Sequence, residues 1–136
     1  MTTTQLSANL ISITTPTLTD SSTKPATTAF ASEGVISLGA TLSGTVNLDL
    51  TSGKYFYGTT TGSTTFTVTN PPTSGVVGSF TLELTNGGSQ TITWTNGKWA
   101  GASAPTLTTS GVDILTGFTR DAGTTVRWAL AEKGSA

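Results

Sequence analysis

The chain contains neither cysteine nor histidine. Their absence removes disulfides, thiolate nucleophiles, imidazole bases, and the zinc, haem and iron–sulfur sites those ligands build. Charge is scarce as well: only 10 % of the 136 residues are Asp, Glu, Lys or Arg, and the net charge is −1. The bases Lys24, Lys54, Lys98, Arg120, Arg127 and Lys133 are scattered singly. No basic stripe is legible that would neutralise a phosphate backbone, so nucleic-acid binding is not expected. No apolar run approaches the ~20 residues that cross a bilayer, and Met1-Thr-Thr-Thr-Gln-Leu6 lacks the basic and apolar regions of a signal peptide. The expectation is a protein made and kept in a cytosol, or released by lysis, with no membrane partner.

What the chain has in abundance is threonine, 33 residues, and glycine, 16. A surface with so few charges must hold its water through hydroxyl groups, whereas well-behaved designed surfaces carry about 25–35 % charge. Such a chain is expected to bury much of its surface against partners or copies of itself.

Composition changes near Gly34. Residues 1–33 hold ten threonines, Pro16 and Pro25, and few large apolar groups beyond Leu6, Leu10, Ile11, Ile13, Leu18 and Phe30. The prolines push Thr15 and Lys24 toward extended conformations and forbid a long helix, while Ile11-Ser-Ile13 alternates as a short strand would. This segment reads as an extended arm, and residues 34–136 as a separate domain.

From Gly34 onward apolar residues recur with period two. Ile36/Leu38/Ala40/Leu42, Val46/Leu48/Leu50, Tyr55/Tyr57, Phe66/Val68, Phe80/Leu82/Leu84, Ile92/Trp94 and Val126/Trp128/Leu130 each present one apolar face, as half-buried strands must. Threonines 81, 85, 91, 93 and 95 occupy the opposite face, where β-branched residues suit a sheet surface. Turn signals separate the runs: Ser52-Gly53, Thr61-Gly62, Asn70-Pro-Pro72, Asn86-Gly-Gly88, Asn96-Gly97 and Asp121-Ala-Gly123. Asn96-Gly97, between Trp94 and Trp99, predicts a two-residue hairpin pairing strands at about 90–95 and 98–100. Strands recurring every 8–12 residues predict an all-β fold, a small antiparallel sandwich or barrel preceded by the arm. Helix is expected only at 26–33 and in the tail Leu130–Lys133.

The acids offer no obvious catalytic pair. Glu83 and Asp49 each alternate with leucines and read as outward strand residues, and Asp121 as a turn residue. Nothing resembles the clustered oxygen ligands of a calcium loop. No metal or cofactor is therefore expected, and the chain reads as a non-enzyme. Trp94 and Trp128 share an apolar face and read as core. Trp99, beside the turn and before Ala-Gly-Ala, is a candidate ligand contact. Tyr55-Phe-Tyr57 is aromatic on both faces of one strand, which implies cover on both sides and makes these tyrosines candidate assembly contacts.

The stretch Asp20-Ser-Ser-Thr-Lys-Pro-Ala-Thr-Thr-Ala-Phe30 resembles a segment recurrent in bacteriophage tail-fibre proteins, approximately Asp-Asn-Ser-Thr-Lys-Ile-Ala-Thr-Thr-Ala-Phe-Val. Ser21, Pro25 and Ala31 replace Asn, Ile and Val. The downstream stretches Asn96-Gly-Lys-Trp-Ala-Gly-Ala-Ser-Ala-Pro-Thr-Leu-Thr108, Val112-Asp-Ile-Leu-Thr-Gly-Phe118 and Asp121-Ala-Gly-Thr-Thr-Val-Arg-Trp128 look like small β-domains of phage structural proteins. The resemblance implies a virion component, typically a homotrimer, with phage capsid or tail proteins as partners.

Length favours one form of it. A chain that opens with its own Met before the arm has room for an arm and one β-domain, which suits a capsid decoration (cement) or head-fibre protein. Ile11, Ile13, Lys24 and Phe30 would then be arm contacts, since an extended arm can add strands to exposed sheet edges. The alternatives are a short tail-fibre or receptor-binding adhesin that contacts a host glycan through Trp99, Tyr55 or Tyr57, and a carboxylate hydrolase using Glu83 and Asp113.

Overall fold

The computed structural model describes residues 34–135. The expected arm, the helix candidate at 26–33 and the candidate contacts Ile11, Ile13, Lys24 and Phe30 lie outside the described residues. Seven strands follow in order: β1 (Val35–Asp49), β2 (Tyr55–Thr69), β3 (Gly78–Thr85), β4 (Ile92–Trp94), β5 (Gly97–Lys98), β6 (Val112–Thr119) and β7 (Val126–Ser135). The class is all-β, as the alternation predicts. The tail Leu130–Lys133 belongs to β7 and is strand, not helix; β6 pairs with it through Leu115↔Leu130 and Ile114↔Glu132, which overrides the local helix propensity of Ala131 and Glu132.

Antiparallel pairing joins β3 to β6 and β6 to β7, whereas β1–β2, β2–β3, β2–β4 and β5–β7 run parallel, so the sheet is mixed. The parallel half has a geometric consequence. β1 and β2 are parallel from Val35↔Tyr55 to Asp49↔Thr69. A straight strand of this length would separate its ends by ~46 Å, yet the connection from Leu50 to Lys54 can span no more than ~20 Å. β1 must therefore curl back toward its own start, with β2 stacked along it as a second coil. Register shifts break the ladder between Ser37 and Gly44, where Gly39 (φ 114) and Gly44 (φ 71) supply left-handed conformations that a side chain would oppose, and such irregularities bend a strand.

The first half of β2 pairs with β3 and the second half with β4. The hairpin expected at Asn96-Gly97 does not form. Asn96 does adopt φ 56, but β4 pairs with β2 and β5 pairs with β7. These pieces are three and two residues long, and each is taken up by a longer neighbour: Thr95 N donates to Phe66 O at 3.0 Å and Val126 N to Asn96 O at 3.0 Å. The turn thus bridges β2 and β7 and closes much of the curl. The Asn96 side-chain amide continues the closure by donating to Gly123 O at 2.9 Å, in the turn between β6 and β7.

The concave side holds the core. Leu42, Leu48, Leu50, Phe56, Phe66, Phe80, Leu82, Leu84, Leu115, Val126 and Trp128 are buried there, with Leu107 closing one end. A chain of ring contacts runs through it, from Phe56 to Phe80 (6.4 Å between centroids), Phe80 to Trp128 (5.0 Å) and Trp128 to Trp94 (4.5 Å).

Asp49 ends β1 and organises its turn. Its carboxylate accepts from Thr51 N (2.9 Å), Thr51 Oγ1 (2.7 Å), Ser52 Oγ (3.1 Å) and Asn70 Nδ2 (3.1 Å). These donors, the Thr51 hydroxyl foremost, lower its pKa to about 2. A folded pKa below the unfolded one contributes stability above the unfolded value near ~3.9, and that contribution is lost as pH falls toward the folded value. Asp49→Asn is therefore expected to lose less stability than the wild type between pH 5 and pH 2, as measured by urea unfolding at both. Equal losses in the two proteins would contradict the assignment.

Candidate interaction face

On its convex side the sheet presents rows of side chains set by the ladder register. One row reads Val35, Tyr55, Thr81, Thr116 and Ala129 across β1, β2, β3, β6 and β7. The next, toward the far end of β3, reads Ser37, Tyr57, Glu83, Ile114 and Glu132. On the other side of the first row lies Ser79, Phe118, Arg127 and Lys98. Val35 (65 % exposed), Tyr57 (41 %), Phe118 (43 %) and Val77 (62 %) are the large apolar residues most open to solvent among the described residues.

The aromatic triplet splits as period two demands. Phe56 is fully buried, while Tyr55 and Tyr57 stand on the convex face. Tyr55 is tied down: its hydroxyl donates to Glu83 Oε2 at 2.5 Å, and that hydrogen bond, reinforced by partial burial, raises the phenol's pKa. Tyr57 is left available beside it.

Trp99 is placed apart from the tyrosines. It is half-buried in the interior cluster, 5.2 Å from Trp94 and 5.9 Å from Trp128, nearly parallel to the latter. Because β5 is held against β7, the next residue is drawn over Trp128, where its indole nitrogen is buried without a partner, as is that of Trp128. The turn and the Ala-Gly-Ala beside Trp99 carry no sign of this long-range packing in the sequence.

Glu83 and Asp113 occupy opposite faces of the sheet. Asp113 is fully buried and accepts from Thr108 N (2.6 Å), Thr108 Oγ1 (2.7 Å) and Gly134 N (3.0 Å). A pair that must flank one scissile bond needs its carboxyls ~5–10 Å apart on a shared cleft; this pair shares none.

Among the described residues, hollows open on the surface at two places that bear on the site. One of about 190 Å³ lies beside Trp94 and Ile92 and is walled by Gly87, Gly88 and the segment 104–107. The other, about 60 Å³, is lined by Phe118, Thr119, Arg120, Asp121, Thr125 and Arg127. The second brings together bases that are singly scattered in sequence. The signal was present: a turn at Asp121-Ala-Gly123 places Phe118 opposite Arg127 in the hairpin register.

Comparison with known proteins returns no matching family model, no matching curated sequence and no matching solved structure.

Proposed function

We propose that the chain is a non-enzymatic bacteriophage virion structural protein, a small trimeric capsid decoration protein of the cement or head-fibre kind, anchored through residues 1–33. The observation that carries this reading is the convex face: Val35 and Tyr57 stand exposed in adjacent rows that also carry Ser37, Thr81 and Glu83, on a sheet whose other side is filled by the core. Contiguous exposed apolar patches rimmed by polar residues mark surfaces that meet another protein. The resemblance at residues 20–30 and 96–128 supports the virion context, and a homotrimer is one of the closed symmetries that homo-oligomers adopt. Many copies would turn weak single anchors into stable attachment.

The expected solution mass by light scattering is three times 13.8 kDa. Tyr57→Glu, which sets a charge beside Glu83 on that face, is expected to weaken the trimer at least tenfold, about 1.4 kcal/mol. A wild type that stays monomeric at high concentration would sink the assembly reading. Deleting residues 1–33 is expected to abolish binding to undecorated capsids, and unchanged binding would remove the anchor. The second reading, a short tail-fibre or receptor-binding module, draws support from the arginine-lined hollow.

A further inference from the structure

We propose that the hollow at the β6–β7 turn is a binding site for an anionic saccharide, with Arg120 and Arg127 holding its carboxylate or phosphate and Phe118 carrying the sugar's apolar face.

Three observations converge on it. First, the register sets Lys98 directly opposite Arg127 across β5 and β7, with both exposed. Like charges facing each other across strands destabilise a sheet. Neither Lys98 nor the two arginines has an ion-pair partner among the described residues that would offset this. A chain with a net charge of −1 has gathered three bases at one corner. Local rules broken without compensation are expected where a site has been built.

Second, the one acid in the hollow is already engaged. Asp121 Oδ1 accepts from Thr125 N at 2.9 Å and Thr119 Oγ1 at 3.0 Å, and the Thr125 backbone donor heads the causes that hold its pKa down. Its Oδ1 serves the turn and its charge stays in the hollow, but it forms no ion pair with Arg120 or Arg127, which outnumber it there, so the guanidinium forks remain available. Such forks match the two oxygens of a carboxylate or phosphate.

Third, the hollow has an apolar wall. Phe118 is 43 % exposed and stands beside Arg127 in the same row. Ligand sites pair an apolar surface with a few placed polar groups. At about 60 Å³ the hollow accommodates an acidic group, leaving the sugar ring to lie over Phe118 at its rim.

A nucleic-acid strand suits this corner poorly. Phosphate-backbone binding gains from many contacts along a track, and two rows away, ~13 Å along the strands, the face carries Glu83 and Glu132. A second phosphate lying along the strands would meet acid rather than base.

The test is isothermal calorimetry on the full chain with trigalacturonate as the carboxylate probe, a glycerol-phosphate oligomer as the phosphate probe, maltotriose as the neutral sugar and a short oligothymidylate. Either anionic saccharide is expected to bind at millimolar concentrations, more weakly in high salt, and the better probe identifies the acid the site takes. Arg127→Gln and Arg120→Gln are each expected to weaken binding about tenfold, and Phe118→Ser to weaken it as well. Lys133→Gln, an exposed base on the same strand but outside the hollow, is expected to leave it unchanged. All four positions are exposed, so unchanged melting temperatures check that the fold persists. The proposal is overturned if neither anionic saccharide binds, if the arginine variants bind as tightly as the wild type, if maltotriose binds equally, or if the oligothymidylate binds more tightly than both saccharides.

Discussion

Replacing Trp128 by alanine is expected to lower the unfolding free energy by about 3–5 kcal/mol. The residue is 5 % exposed and is the meeting point of the interior rings: Phe80 of β3 lies edge-on at 5.0 Å, Trp94 of β4 at 4.5 Å, and Trp99 stacks at 5.9 Å. It therefore joins the antiparallel side of the sheet to the short strands that close the curl. Removing the indole opens a cavity bounded by rigid rings from three separate segments, which have little freedom to collapse into it. Against a total stability of ~5–15 kcal/mol for a domain of this kind, that loss leaves the fold near its limit. Trp128→Phe is expected to cost considerably less. It keeps an aromatic ring against Phe80 and also removes a buried indole N–H that has no hydrogen-bond partner. Urea unfolding of the two variants separates these effects. A Trp128→Ala protein within about 1 kcal/mol of the wild type would mean that the rings are not the centre of the core.

Which residues face inward was largely legible from the sequence. Phe80, Leu82 and Leu84, and likewise Val126 and Trp128, are buried where the period-two pattern puts them. The direction of pairing was not legible, because alternation fixes the face of a strand and says nothing about its neighbour's polarity. The curl of β1 depends on two glycine conformations and on a ladder with partners twenty residues away, as in Val35↔Tyr55. Asn96 shows the same division: the local signal for positive φ was correct, while its strand partners were decided by distant hydrogen bonds. Threonine on the outer faces was read correctly at 91 and 93, which are exposed. Thr60 and Thr64 lie instead in the interior, where their hydroxyls donate to backbone carbonyls of Asn86 and Gly62. A buried threonine and an exposed one have the same sequence signature until the carbonyl it serves is known.

The interaction face was legible in part. Tyr57 was found as an outward aromatic, and its companion Phe56 is core. The gathering of Lys98, Arg120 and Arg127 is not legible in the sequence, where they stand apart; the ladder brings them together across the strands.

Asp113 is the clearest case in which an apparent catalytic candidate has a structural role, and its removal carries the second large expected effect. In β6 the buried positions are Asp113, Leu115, Gly117 and Thr119, so an acid occupies an inward site where a sequence reading expects an apolar residue. A buried carboxylate is tolerated only if its oxygens are satisfied. Here Thr108 donates twice, from its backbone at 2.6 Å and its hydroxyl at 2.7 Å, and Gly134 N donates at 3.0 Å. Those donors belong to the loop before β6 and to the end of β7, so one carboxylate pins two segments distant in sequence. Asp113→Ala removes the acceptor shared by two backbone donors and a hydroxyl, on half-buried Thr108 and exposed Gly134, and empties a fully buried position; it is expected to cost about 3 kcal/mol. Asp113→Asn keeps the shape but sets an amide N–H₂ against donors, and is expected to lose a smaller share. Hydrogen exchange distinguishes this anchor from a general loss of stability: protection is expected to fall first at Thr108 and Gly134, ahead of Leu82 and Leu115 in the core. Glu83→Gln on the opposite face retains an acceptor for Tyr55 and is expected to change stability by less than about 1 kcal/mol. An Asp113→Ala variant as stable as Glu83→Gln would show that the buried acid pins nothing.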